Sequence, residues 1–311
     1  MKLFTIFTTA FAFATASHAQ TQYTSTAASA VEAARATALT LSPTSSIKGK
    51  TFNRFVSIWF ENQDFDIAAA DPSLKWIASQ GITLTNYKAI THPSQPNYVA
   101  SVGGSQHWVW EDWTFQIDKS VKTIVDLLET GGVSWSVYQQ DMQYSGFEGN
   151  WVNQQNGANM YVRKHNPVMS YDSVTSNTER LAKCKNFTLF YSDLEADTLP
   201  QWMFITPNMT NNGHDSSVTV AGAFAKEFLT PLLSNQNFMK NTLVQLTFDE
   251  SENYFNDNKV FTVLLGDAIP ETLKGTVNDT AFNHYSILAT VEKNWGLSNL
   301  GLGDVGAAAF W

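Results

Sequence analysis

Short apolar, β-rich runs alternate with stretches of helical period between residues 54 and 295, and this alternation leaves the chain few folds to choose from. Arg54–Phe60 (RFVSIWF) reads as a strand, 73–79 (SLKWIAS) as a helix stopping before Gly81, 82–87 as a strand, and 96–102 as the opening of a helix. In 120–130 the apolar residues Val121, Ile124, Val125 and Leu128 recur at helical spacing, and Gly131-Gly132 ends the helix. Strands follow at 133–138 and 202–206. A helix at 218–233 has Pro231 breaking its end, strands at 243–248 and 260–265 are joined by a polar turn, and 285–295 forms a closing helix. Repeated strand–helix–strand order predicts an α/β fold, a three-layer sandwich around a largely parallel central sheet. In such sheets ligands bind beyond the carboxyl ends of the strands. Reactive residues are therefore expected just after strands.

Composition narrows the class. With 43% hydrophobic and 15% charged residues the chain is not a disordered one. A net charge of −9 speaks against a nucleic-acid partner. One cysteine, Cys184, excludes a disulfide framework and reads as a quiet thiol rather than a nucleophile. No internal run reaches the roughly 18 apolar residues of a spanning helix, so no stable membrane insertion is expected. The 21 Phe, 10 Trp and 10 Tyr point to a core held largely by buried rings.

The N-terminus reads as an address. Residues 1–19 have a positive start at Lys2, an apolar stretch, and small residues at Ser17 and Ala19, the pattern of a secretory signal peptide. The predicted destination is extracellular or cell-wall associated. Residues 20–48 are rich in Ala, Ser and Thr and predict a flexible leader, with room for a short helix near 31–38. Residues 49–311 predict a single catalytic domain with nothing appended. Asn186, Asn208 and Asn278 open Asn-x-Thr sequons and are candidate glycosylation sites.

Two acidic pairs end strands. Glu61-Asn62 follows RFVSIWF, and Asp249-Glu250 follows LVQLTF. One such pair alone is more often a cap or a turn. Two at equivalent strand ends can clamp a hard cation between them. Between them in sequence, Ser94 lies in a loop flanked by Pro93 and Pro96, which restrict the backbone and fix the hydroxyl's direction. A serine hydroxyl needs a base or metal to become a nucleophile. Asn97 follows with an amide able to donate two hydrogen bonds. His214 beside Asp215, His284 at the start of the last helix, and His165 beside Lys164 lie in polar segments suited to acid–base work or anion binding.

The ordered set ENQDFD, SQPNY, KHNP, PNMTNNGHD, FDES and NHYS resembles the phosphoesterase family of secreted acid phosphatases and bacterial phospholipases C, within the alkaline-phosphatase superfamily. The nearest branch is that of the fungal phosphate-repressible acid phosphatases. The resemblance implies an alkaline-phosphatase-like fold and hydrolysis of phosphate monoesters through a phosphoserine on Ser94. It implies a divalent metal held by Glu61, Asn62, Ser94, Asp249 and Glu250. Superfamily relatives often bind two ions, but the spare Asp and His ligands here are few, so one is expected. Calcium, magnesium or manganese suits these oxygens, with zinc and iron left open. It makes Asn97, Lys164 and His165 substrate-binding residues, and His214 and His284 catalytic, either one able to protonate the leaving oxygen. Sulfatases of the superfamily carry arginine where Tyr98 stands and usually cysteine at the Ser94 position, which speaks against a sulfatase. The expected partner is a small phosphate ester. A phospholipase C-like phosphodiesterase would use the same residues, but the compact length favours monoesters. A non-catalytic wall glycoprotein that binds polysaccharide through aromatics would leave the acidic strand ends unexplained. The sequence sets no oligomeric state.

Overall fold

Six of the seven residues of strand β1, Arg54–Phe60, are buried. A strand apolar on both faces belongs inside a parallel sheet covered by helices, and β1 lies there. The computed structural model describes residues 26–310, so the predicted signal at 1–19 lies outside them. After β1 come β2 (Ile82–Leu84), β3 (Tyr87–Lys88), β4 (Trp135–Gln139), β5 (Trp151–Val152) and β6 (Asn159–Tyr161). They are followed by β7 (Cys184–Asn186), β8 (Trp202–Thr206), β9 (Thr242–Phe248), β10 (Thr262–Leu265), β11 (Thr276–Asn278) and β12 (Phe282–Asn283). Eight strands form the central sheet in the order β11-β2-β10-β9-β1-β8-β4-β7. Every pairing in it is parallel except those of β10, which runs against both β9 and β2.

Helices pack in two groups, as layers on a sheet require. The Pro72–Ser79 helix lies against Val218–Leu232, while Ser94–Gly103 lies against Tyr285–Trp295 and Ile124–Thr130. The core is aromatic, as composition predicts: Trp59, Trp135, Trp202, Tyr98, Tyr138, Phe52 and Phe55 are all buried. Each fully buried side chain of this size contributes roughly 1.5–3 kcal/mol or more.

Several boundaries differ from expectation for physical reasons. The strand predicted over 82–87 is two: Thr85-Asn86 turns the chain so that β3 leaves the main sheet and pairs with β12. The helix predicted from 120 starts at Ile124, because the Thr123 hydroxyl accepts from Val125 N–H while the Asp126 carboxylate accepts from Thr123 N–H. Pro231 lies inside the last turn of its helix instead of ending it.

The leader differs most. Its described part holds a helix, Ala28–Thr37, whose Val31 and Ala34 are buried in the core. Beyond it the chain is extended and tied down. Leu41 N–H donates to Ala182 O (3.0 Å), Ser42 Oγ to Asp193 Oδ1 (2.6 Å), and Ser45 Oγ to Gln201 Oε1 (2.6 Å). Small polar side chains here act as hydrogen-bonding anchors, so a composition typical of flexible linkers is held against the body.

Candidate active site

Parallel register builds the site. Phe60 of β1 pairs with Phe248 of β9, so Glu61 and Asp249 leave the sheet side by side, as expected of strand-end residues. The turn is fixed by Asp249 N–H donating to Phe60 O (3.0 Å) and Glu61 N–H to Asn212 O (2.9 Å). Gly213 has φ +106°, and a Cβ there would come within 3.3 Å of Glu61 O; its absence lets the loop carrying His214 close on Glu61. Ser94 opens the Ser94–Gly103 helix and is buried. Its Oγ lies 3.0 Å from Glu61 Oε2 and 3.0 Å from Glu250 Oε1, so one hydroxyl proton is shared between two carboxylates.

The carboxylates are crowded and dry. Glu61, Asp249 and Glu250 are all buried. Burial first, then the charges of Glu61 and Glu250, holds the Asp249 carboxyl well above its ordinary range. Burial and the Glu61 charge push Glu250 up to about 8. Burial raises Glu61 too, against the pull of Lys164, His214 and hydrogen bonds from Tyr98 and Ser94. Tyr98 OH donates to Glu61 Oε1 at 2.5 Å. Both Asp249 oxygens are buried without a hydrogen-bond partner among the described residues; Ser94 and the Glu250 amide are near, but not in bonding geometry. Three buried acids with two unpaired oxygens form a donor set that a divalent cation fits. Asn62, half-buried, follows Glu61 directly.

A nitrogen-containing set shares Glu61. Ligand atoms of Glu61, His165 and His214 lie within 4.8 Å of one another. His165 is stacked on Tyr98, with ring centroids 5.2 Å apart. Its Nε2 is 3.2 Å from Glu61 Oε1 yet off the hydrogen-bond direction, so that atom too is buried and unpaired. Burial, then the nearby Lys164 and His214, keeps the His165 ring neutral, with a lone pair to offer. His214 is partly exposed, its Nδ1 2.7 Å from Asp215 Oδ1.

Two expected residues face elsewhere. Asn97 is expected to hold substrate, but its amide is fully committed: Oδ1 accepts from Ile90 and Thr91 N–H, and Nδ2 donates to Thr91 and Pro93 carbonyls. It shapes the loop before Ser94. His284 is expected to be catalytic, but it is fully buried, with Nε2 2.6 Å from the Asp249 backbone carbonyl and Nδ1 3.1 Å from Tyr87 OH. Burial lowers its pKa to about 4. It supports Asp249 from behind.

Lys164 faces the site in the grip of a residue that sequence reasoning missed. Asp112 Oδ2 accepts from Lys164 Nζ (2.6 Å), and Asp112 Oδ1 accepts from the N–H of Gln95, next to Ser94 (3.0 Å). Burial lowers the Lys164 pKa, but Glu61 and Asp112 more than reverse that, and the ammonium is held charged. Nothing in the sequence around Asp112 marks it. Tyr98 was findable, four residues past Ser94 on one helix. His92 was missed two residues before Ser94. Its Nδ1 meets Glu250 Oε2, and its ring stacks on Tyr254 at 4.0 Å.

The Asn186 side chain caps the Phe187–Glu195 helix and donates to Met142 O, whereas Asn208 donates to Asp141 Oδ2. Asn278 is half-buried on the edge strand β11. Cys184 is buried, and burial raises its thiol pKa, as expected of an inert cysteine.

The Phosphoesterase family profile matches residues 49–298. The chain is 51% identical over 280 residues to an acid phosphatase of Aspergillus fumigatus, covering 90% of this chain and 63% of that protein. It is 53% identical over 277 residues to a phosphate-repressible acid phosphatase of Penicillium chrysogenum, covering 89% of this chain and 67% of the relative. The chain thus spans about two thirds of the length of these relatives. Among solved structures, a Vibrio parahaemolyticus protein of the alkaline phosphatase superfamily aligns with TM-score 0.54 at 10% identity, covering 90% of this chain and 78% of that one. That likeness speaks for the fold.

Proposed function

Since the chain belongs to the Phosphoesterase family, we propose that it is a secreted, metal-dependent acid phosphatase that hydrolyses phosphate monoesters through Ser94. The observation that carries this reading is the Ser94 hydroxyl, 3.0 Å from each of two buried carboxylates and beside the unpaired oxygens of Asp249. Glu61, Asn62, Asp249 and Glu250, with Ser94 itself, would hold the cation, which leaves the unpaired Nε2 of His165 and the accessible His214 to act on substrate. Bound there, a divalent ion lowers the pKa of the serine hydroxyl and draws charge from phosphoryl oxygens.

The chain's own residues supply the rest. Ser94 gives up its proton along its hydrogen bonds toward Glu61 or Glu250, and Oγ attacks phosphorus in line. The Oγ–P bond forms as the ester P–O bond breaks. His214, the accessible histidine of the site, donates a proton to the departing alcohol oxygen. Water then attacks the phosphoserine, releasing orthophosphate and restoring the hydroxyl. The Lys164 ammonium, steered by Asp112, and Nε2 of His165 stabilise the charge on the phosphoryl oxygens. Asn97 and His284 position Ser94 and Asp249. The signal at 1–19 directs export, and Asn186, Asn208 and Asn278 are glycan acceptors. Among the described residues no helix is long and apolar enough to cross a membrane.

Acid-quenching the enzyme with a ³²P-labelled monoester tests the reading. The expected result is label on Ser94 in the native protein, and neither label nor measurable turnover in Ser94→Ala. Undiminished hydrolysis by Ser94→Ala sinks the mechanism.

A further inference from the structure

Outside the polar site lies a group of large rings that the proposed chemistry does not use. The loop from 105 to 118 carries Trp110 and Trp113, 57% and 64% exposed. They are held by Phe115: Trp110 meets it edge-on at 5.4 Å, and Trp113 lies nearly parallel to it, 9° between planes, at 6.3 Å. This loop is tied to the reaction centre through Asp112, which bonds both Lys164 and the amide next to Ser94. A second aromatic element approaches from the connection between β9 and β10. Tyr254, 56% exposed, stacks on His92, whose other contact is Glu250. The Tyr254 hydroxyl is in the field of both groups: after burial, the charges of Glu250, Asp112, Asp249 and Glu111 raise its pKa. Each aromatic element is thus one residue removed from the groups around Ser94, the first through Asp112 and the second through His92.

Exposed rings grouped into a patch rimmed by polar residues mark a surface suited to a ligand, where single exposed rings do not. Here the ligand is selected by charge. Glu111 lies between the two tryptophans and Glu252 two residues before Tyr254, while the charge of Asp112 is balanced by Lys164. A leaving group with further negative charges, such as a polyphosphate or an anionic headgroup, meets repulsion at this rim. A flat, uncharged ring meets faces on which it can stack.

We propose that Trp110, Trp113 and Tyr254 form a leaving-group subsite that selects phosphomonoesters whose alcohol carries a planar, neutral aromatic ring, such as nucleoside monophosphates. This inference rests on the phosphatase reading and adds its substrate class. The rings touch the alcohol portion only, so they are specificity residues and not part of the phosphoryl chemistry.

Adenosine 5′-monophosphate and glycerol 3-phosphate make the test. Both are esters of primary alcohols, so the leaving chemistry is matched and the ring is the variable. Steady-state kinetics compare the native protein with Trp113→Ala, Tyr254→Ala, the double variant and Tyr254→Phe. The expected result is a loss on the order of tenfold in kcat/KM for the nucleotide per ring removed, mostly in KM. Glycerol 3-phosphate should change by less than about twofold, and Tyr254→Phe should keep the nucleotide rate, because stacking needs the ring and not the hydroxyl. The unchanged glycerol ester rate also reports that each variant is folded. Equal loss on both esters, or none on the nucleotide, overturns the subsite while leaving the phosphatase intact. Loss of binding to phosphatidylcholine vesicles with an unchanged ester ratio overturns it in favour of a membrane-docking patch. If the native protein hydrolyses neither ester, the phosphatase reading falls, and the subsite with it.

Discussion

Glu292 shows what burial beside a second acid does to a carboxyl. It lies on the closing helix, away from the acidic strand ends, and is 7% exposed. Burial, followed by the charge of Asp304 and a hydrogen bond to it, pushes its pKa up to about 8. The folded state therefore holds a proton that the unfolded chain releases near pH 4. The penalty is absent below about pH 4 and complete above about pH 8, so stability falls as pH rises through that window. Glu292→Gln keeps a donor toward Asp304 without the charge. Its melting temperature should match the native protein's near pH 4 and exceed it by several degrees at pH 8, measured by scanning calorimetry. At this scale the sequence was informative only where neighbours along the chain are neighbours in space. Glu61 beside a strand end and Ser94 between prolines were legible. Asp112 was not, since its partners Lys164 and Gln95 are 52 and 17 residues away.

Elements with strong periodicity came through intact. β1, β8 and the Tyr285–Trp295 helix have the bounds their apolar patterns imply. β7 was invisible because its sequence, CKN, has no strand pattern. It is a strand through its parallel pairing with β4, and its buried lysine is tolerated there because it finds partners: Lys185 Nζ donates to Asp193 Oδ2 at 2.5 Å and to Ser42 Oγ at 3.0 Å, while Tyr138 OH donates to the same carboxylate oxygen at 2.6 Å. Burial lowers the Lys185 pKa despite Asp193. Asp193→Leu strands that ammonium, and should cost roughly 3–5 kcal/mol of stability by urea unfolding. Lys185→Met combined with Asp193→Leu should recover most of the loss, since a buried pair replaced by apolar groups is often neutral. A double variant no better than the single one would mean that the pair contributes through geometry other than charge.

Across the whole molecule, the cation site proposed at the three strand-end acids carries a prediction about stability. With the cation removed, Glu61, Asp249 and Glu250 take up protons as the protein folds, because their folded-state pKa values are raised. Chelated protein should thus lose stability as pH rises from about 4 to about 8, and added divalent ion should restore it most at the upper end. Melting curves at pH 5 and pH 8, with and without chelator, give the check; an equal chelator effect at both values would exclude these acids as the cation's ligands. Activity should vanish with the ion and return when it is added back.

The sequence by itself determined the α/β class, the central strands and the acidic residues at two strand ends, because each is written in a local period or in the residues bordering it. Only the tertiary structure decided that β10 reverses in an otherwise parallel sheet and that the Ala/Ser/Thr-rich segment from Ala28 onward is held to the body. It also committed the side chains of Asn97 and His284 to buried partners, and gathered Asp112 and His92 around Ser94. Those outcomes depend on which distant groups satisfy each buried donor and acceptor. A polar side chain's partner is fixed by packing, and the linear order of the chain does not encode it.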